Sequence, residues 1–255
     1  VGAIHKLNNM LWVGWAGIAA EKVRGREREI RDSMLKWNLY PVFLSRKHVE
    51  NYYHGFCNKT IWPLFHYFPQ YTVYREDYWN SYRKVNEIFC KELMGILDEG
   101  DTVWIHDFHF LLLPKMLREK LPNLNIGFFL HIPFPSYEIF RMLPWRREIV
   151  EGMLGSDLIG FHTYNYVRHF LSAVRHILGY EPSMGRIVVN NRPVLVDAFP
   201  IGINYGYIES YVKRKSVELK VREIKKSVGD RKIMFSIDRL DYTKGIVERL
   251  EAFDR

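Results

Sequence analysis

Cysteine is nearly missing: Cys57 and Cys90 are the only two in 255 residues. They stand far apart, and neither has a second Cys at metal-ligand spacing. A disulfide framework in a chain of this length needs more pairs. The thiol content fits a reducing compartment, and a cytoplasmic location is expected. Long apolar runs are missing as well. Each short run is flanked by charge or by proline, so none reads as a bilayer-spanning helix. Val1–Asn9 lacks the basic-then-apolar layout of a secretory signal. Neither a G-x-x-x-x-G-K-[ST] nor a G-x-G-x-x-G pattern occurs, which removes the main support for a P-loop kinase or a Rossmann dehydrogenase. There is no internal repeat and no low-complexity segment.

What is present is a soluble, globular composition with 47% hydrophobic and 26% charged residues. The length holds one large domain, or one domain and part of a second. The net charge of +8 is spread along the chain. Its one local concentration, Val212–Lys226, is interrupted by Glu218 and Glu223. A mixed-sign basic surface of this kind is a solvated face, so nucleic acid is not expected as a partner, nor is a membrane. A basic enzyme acting on phosphorylated substrates fits the charge.

Short apolar runs alternate with longer amphipathic stretches, the pattern of an α/β fold with a largely parallel sheet. Strands are predicted at Leu11–Gly14, Pro41–Leu44, Thr102–Ile105, Ile126–Leu130, Asp157–Phe161, Val194–Phe199 and Lys232–Ile237. Helices are predicted at Asp77–Leu97, Leu111–Glu119, Arg146–Met153, Tyr166–Leu178, Val217–Val228 and Ile246–Arg255. Asn165 offers a cap for the fourth of these. Asn190-Asn191, between two Val-rich runs, predicts a hairpin over Ile187–Val196. The last helix keeps an apolar face (Ile246, Val247, Leu250, Phe253) with no stop signal. After about Asn204, one strand and its helix following the Val217–Val228 helix cannot bury a core alone. The expectation is a domain over residues 1–203 and the beginning of a second over 204–255, with the chain cut at both ends. Val1–Leu11 reads as the end of a helix.

Ligands of open parallel sheets bind outside the carboxyl ends of the strands. Three polar clusters fall there: His106-Asp107-Phe108-His109, His131-Ile132-Pro133-Phe134-Pro135, and Asp238-Arg239-Leu240-Asp241-Tyr242-Thr243-Lys244-Gly245. Asp107 either caps the next helix or carries chemistry. His106 and His109 have a spacing that zinc ligands use, but no convincing third ligand is near. His131 is either a core histidine or a site residue on a loop stiffened by two prolines. Arg239 and Lys244, beside a helix start with free N–H groups, suit a diphosphate, or else form a surface pair balanced by Asp238 and Asp241. An aromatic region, Tyr52-Tyr53-His54 and Trp62 to Phe68, is either core or a platform for the C–H faces of a sugar.

Taken together, Trp12-Val13-Gly14-Trp15, Trp62 to Tyr67, Trp104-Ile105-His106-Asp107, Gly127 to Pro135, Phe199 to Ile203 and Arg239 to Gly245 resemble the trehalose-6-phosphate synthase family over nearly the whole chain. The resemblance implies a GT-B architecture of two facing Rossmann-like domains with the active site between them. It implies transfer of glucose from UDP-glucose to glucose 6-phosphate, with retention and with no metal or other cofactor. Tyr53, Trp62 and Asp107 match acceptor-binding positions. His131 matches a histidine near the donor glucose, and Arg239 and Lys244 match the pair holding the donor diphosphate. His131 and Asp107 are the expected catalytic residues, although the leaving phosphate is expected to take the acceptor proton. The family's Gly-rich loop is expected before Val1 and its later acidic donor residues beyond Arg255, so residues 1–255 alone are not expected to turn over. The rival expectations are a related synthase with another acceptor, of glucosylglycerol-phosphate type, and a non-catalytic regulatory subunit of a trehalose-synthesising complex. Homo-oligomers, or phosphatase and regulatory subunits, are the macromolecular partners implied.

Overall fold

The computed structural model describes residues 10–254. Two compact units, Val1–Phe199 and Pro200–Arg255, divide the chain. The predicted helical end at Val1–Leu11 lies largely outside the described residues, and Met10 and Leu11 are not helical.

The first unit is α/β. Strands β1 (Trp12–Ala19) and β2 (Leu39–Leu44) pair in parallel, and helix α1 (Glu27–Leu35) connects them. A second sheet has the order β3-β4-β5-β7-β6. Its strands are β3 (Thr102–His106), β4 (Asn125–Phe129), β5 (Leu158–Phe161), β6 (Arg186–Val189) and β7 (Arg192–Ala198). Strands β3, β4, β5 and β7 run in parallel, while β6 pairs antiparallel with β7 at the edge. Asn190 and Asn191 make the tight hairpin turn with φ of 49° and 64°, since Asn tolerates the left-handed region that this turn requires.

The helices come from periodicity and capping. Helix α4 (Glu76–Met94) buries Trp79, Tyr82, Val85, Asn86, Phe89, Cys90 and Leu93, a stripe three to four residues apart. Helices α5 (Leu113–Lys120), α7 (Arg146–Met153) and α8 (Tyr164–Leu178) complete the crossovers. Between β2 and α4 the chain makes one long helical passage that periodicity did not predict. It begins as α2 (Arg46–His48), where the Ser45 side chain accepts the His48 N–H. It widens into a π-helix over Val49–Ile61 and closes as α3 (Trp62–Phe65). A short α6 (Tyr137–Phe140) follows the loop after β4. Phe134 from that loop is fully buried against Phe65, Phe140, Phe161 and Phe170, which joins the loop to the core.

Two expectations for this unit need correction. Helix α8 opens at Tyr164 after Thr163, so Asn165 lies inside the first turn and not at the cap. Helix α5 starts two residues after the predicted Leu111, because the Phe108–Phe110 stretch takes a separate 3-10 turn.

The second unit holds α9 (Tyr205–Val212), α10 (Lys215–Val228) and α11 (Ile246–Asp254). The predicted strand Lys232–Ile237 does not form. A strand needs a hydrogen-bonded neighbour, and no strand lies among the described residues of this unit. Met234, Phe235 and Ile237 are correspondingly exposed.

Candidate functional site

The carboxyl ends of β3, β4 and β5 each release a histidine: His106, His131 and His162. Parallel pairing in register makes these ends neighbours. His106 Nδ1 lies 3.0 Å from His131 Nε2, and the rings stack with centroids 5.3 Å apart. His162 meets the edge of His131 at 5.6 Å, with Phe129 in contact with both. Burial lowers the pKa of His106 and His131, the neighbouring imidazole adds to that for each, and Asp107 opposes it. The neutral forms are therefore favoured, with one ring of the pair donating its N–H and the other accepting.

Asp107 is the hinge between the loops. Its φ is 73° and its ψ 172°, a conformation that costs a non-glycine residue about 1–3 kcal/mol and persists only where the surroundings over-determine it. Its own N–H donates to Phe129 O at 2.7 Å, and its Oδ1 accepts the His131 backbone N–H at 3.2 Å. Asp107 makes no side-chain cap to the turn that follows. Of the two sequence readings, the cap is therefore not the one adopted.

Tyr53 stacks on His109 at 5.8 Å with the planes 13° apart. His109 Nδ1 is in turn 4.0 Å from Asp107 Oδ2, and burial lowers the pKa of that imidazole. Trp62 packs on Phe108 at 5.8 Å and on His66 at 4.0 Å. The passage from β2 to α4 thus lays Tyr53 and Trp62 against the turn that carries Asp107. The loop after β4 is tied down separately. The Ser136 N–H donates to the Tyr67 hydroxyl at 2.8 Å, and a His169 ring nitrogen lies 3.0 Å from Phe134 O. Tyr53, Trp62, Asp107 and His131 thus belong to one connected set of contacts, although they come from different elements.

Arg239 and Lys244 stand in the second unit, before α11. Asp241 accepts from Thr243 N at 2.9 Å and from Thr243 Oγ1 at 2.8 Å, closing the turn Tyr242–Lys244. Gly245, at φ 59°, carries the chain into the helix. Asp238 pairs with Arg249 at 2.9 Å, and this hydrogen bond holds its carboxyl below the usual carboxylate range. Both cations are therefore on the segment that opens a helix N-terminus, where backbone N–H groups favour an anion.

Three contributors were given no site role from the sequence. Trp12 stacks on His106 at 6.0 Å, and Trp15 lies 5.8 Å from Tyr53, so β1 supplies an aromatic wall. His162 was missed although its signal is in the sequence: it follows an apolar strand in the same way as His106 and His131. A surface cavity of about 400 Å³ lies elsewhere, beside Tyr137, Arg146, Arg147 and His176. The described residues contain no group of three His, Cys, Asp or Glu arranged to hold a metal, and no helix long and apolar enough to cross a membrane.

Residues 2–255 match the profile of glycosyltransferase family 20. The chain is 44% identical to the alpha,alpha-trehalose-phosphate synthase (UDP-forming) of Pichia angusta, over 100% of this chain and 55% of that protein. It is 45% identical to a bifunctional trehalose-6-phosphate synthase/phosphatase of Thermoproteus tenax, over 98% of this chain and 34% of that one. Among solved structures, the alpha,alpha-trehalose-phosphate synthase (UDP-forming) of Burkholderia xenovorans in complex with glucose-6-phosphate superposes with a TM-score of 0.76 at 35% identity. That match covers 85% of this chain and 49% of the other. The chain thus spans about half, or less, of the length of these relatives. With the fold and the sequence agreeing along its length, the chain belongs to glycosyltransferase family 20.

Proposed function

We propose that the protein to which this chain belongs transfers glucose from UDP-glucose to glucose 6-phosphate with retention, releasing UDP and trehalose 6-phosphate. The observation that supports this reading is the hydrogen bond from the His131 N–H to Asp107 Oδ1, which joins the loop read here as acceptor-side to the loop read as donor-side. In this reading the first unit is the acceptor domain. Tyr53 and Trp62 pack on the acceptor ring, Asp107 accepts from its hydroxyls, and His131 orients the donor glucose. The second unit is the beginning of the donor domain, with Arg239 and Lys244 on the diphosphate.

The bond from the donor's anomeric carbon to the phosphate oxygen breaks, and a bond to the acceptor's anomeric oxygen forms on the same face. The acceptor's hydroxyl proton passes to the departing phosphate oxygen. Arg239 and Lys244 stabilise the charge that grows on the diphosphate, without a metal or cofactor. Coupling to a trehalose-phosphate phosphatase is a further part of the proposal, supported by the bifunctional relative from Thermoproteus tenax; assembly with a second copy of the chain is proposed beside it.

The test is UDP release by the full-length protein from UDP-glucose, with glucose 6-phosphate and with glycerol 3-phosphate as acceptors. Release that depends on glucose 6-phosphate is expected. Release only with glycerol 3-phosphate moves the assignment to a related synthase, and none with either acceptor leaves a regulatory subunit.

A further inference from the structure

The strained turn after β3 is held from below by three buried side chains that the reaction does not call on. Tyr82 of α4 uses one oxygen twice. Its hydroxyl donates to Phe108 O at 2.8 Å and accepts the Leu111 N–H at 2.9 Å. One turn further along α4, Asn86 Nδ2 donates to His109 O at 3.2 Å and to Tyr82 O at 2.9 Å. From the π-helix, the Tyr52 hydroxyl donates to the same His109 carbonyl at 3.2 Å. Tyr82 and Asn86 are fully buried and Tyr52 is 4% exposed. Burial pushes both phenols well above their ordinary pKa, so both remain protonated donors.

We infer that Tyr82, supported by Asn86 and Tyr52, is a positioning residue that fixes the 107–111 turn in the conformation that aims the Asp107 carboxylate at the His131 N–H. The inference rests on the reading of Asp107 as an acceptor-binding residue. The backbone of Asp107 has no glycine freedom, yet it sits at φ 73°. Something must over-determine it. Within the turn itself the Phe110 N–H to Asp107 O bond at 3.1 Å is one constraint. The side chains of α4 and the π-helix add bonds to the carbonyls of Phe108 and His109 and to the N–H of Leu111. A phenylalanine at 82 keeps the ring against Phe56, Tyr52 and Trp79. It leaves the Phe108 carbonyl and the Leu111 N–H without their buried partner. That cost falls on the turn, which recovers by relaxing, and Asp107 then moves.

The test compares Tyr82→Phe with Val174→Ala in the full-length enzyme. Val174 is a fully buried residue of α8 in the same unit, and its truncation supplies a purely structural control. For Tyr82→Phe, KM for glucose 6-phosphate is expected to rise about tenfold, with KM for UDP-glucose changed less than about twofold. Amide hydrogen exchange at residues 108–111 is expected to speed up in Tyr82→Phe and not in Val174→Ala. Added to Asp107→Asn, Tyr82→Phe is expected to cost less than about twofold more, because both act through one group.

An unchanged acceptor KM, a KM change equal to that of Val174→Ala, or full additivity with Asp107→Asn overturns the inference. If Tyr82→Phe does not fold, Tyr52→Phe removes one of two donors to His109 O and is expected to raise the acceptor KM about threefold. An unaltered KM there has the same negative meaning. A wild-type protein that releases no UDP with glucose 6-phosphate sinks the functional reading instead. In that event exchange at 108–111 in the same variants still decides whether the clamp holds the turn.

Discussion

His106 Nδ1 lies within hydrogen-bonding distance of His131 Nε2, at 3.0 Å, and the pair is held neutral by burial and by each imidazole's histidine neighbour, against the pull of Asp107. A histidine whose folded pKa is depressed contributes full stability above its ordinary value of 6.5, and the contribution is lost as pH falls below it. The melting temperature is therefore expected to fall between about pH 7.5 and pH 5.5, as the unfolded chain takes up protons more readily. His106→Gln keeps a hydrogen-bonding side chain without a titrating ring and is expected to flatten this dependence. An identical slope in that variant argues that other groups set it.

Tyr53 lies flat on His109, beside Asp107. Tyr53→Ala is expected to raise KM for glucose 6-phosphate by about tenfold, about 1.4 kcal/mol, with little change for UDP-glucose. Initial-rate kinetics on the full-length protein separate the two constants. An effect confined to UDP-glucose places Tyr53 on the donor side.

Arg239→Ala and Lys244→Ala are each expected to lower turnover by about a hundredfold, about 2.7 kcal/mol, by removing charge-assisted contacts to the leaving diphosphate. A solvated surface pair changes little when one member is removed. Near-normal UDP release in both folded variants rejects the diphosphate assignment.

Gly152 on α7 lies so close to α5 and its approach that a Cβ there falls 2.3 Å from Leu111 O and 2.9 Å from Leu112 Cα. Backbone cannot yield as a flexible side chain does. Gly152→Ala is expected to destabilise the first unit by about 2–3 kcal/mol, measured by denaturant unfolding. A loss below about 0.5 kcal/mol shows that α7 shifts freely.

Asp157 ties three elements together ahead of β5. Its carboxylate accepts from Arg118 at 2.7 Å, from Arg192 at 3.2 Å and from the Ile126 N–H at 2.8 Å. Asp157→Ala leaves two part-buried guanidinium groups and one N–H short of a partner. A loss of about 1–3 kcal/mol is expected, moderated because the carboxylate is 40% exposed. Unchanged unfolding midpoints mean that water replaces it.

Much of this molecule is legible in its sequence. The strands β3, β4, β5 and β7 lie where the apolar runs predict them, and Asn190-Asn191 turns the hairpin, because those signals depend on local periodicity and backbone freedom. The β2–α4 passage was not legible, since a π-helix has no 3.6-residue stripe to find. Lys232–Ile237 has the composition of a strand without the structure of one. Composition describes a willingness to pair, and pairing needs a neighbour.

The candidate residues divide in the same way. Asp107, His131, Arg239 and Lys244 stand out as candidates because strand-end and helix-start positions are set by nearby sequence. The sequence alone determined which side chains reach the carboxyl edge of the sheet. Only the tertiary structure decided that His106 meets His131, that Tyr53 lies on His109 and that Tyr82 grips the Asp107 turn. Those contacts join residues far apart in the chain, and only parallel pairing and helix packing bring them within reach.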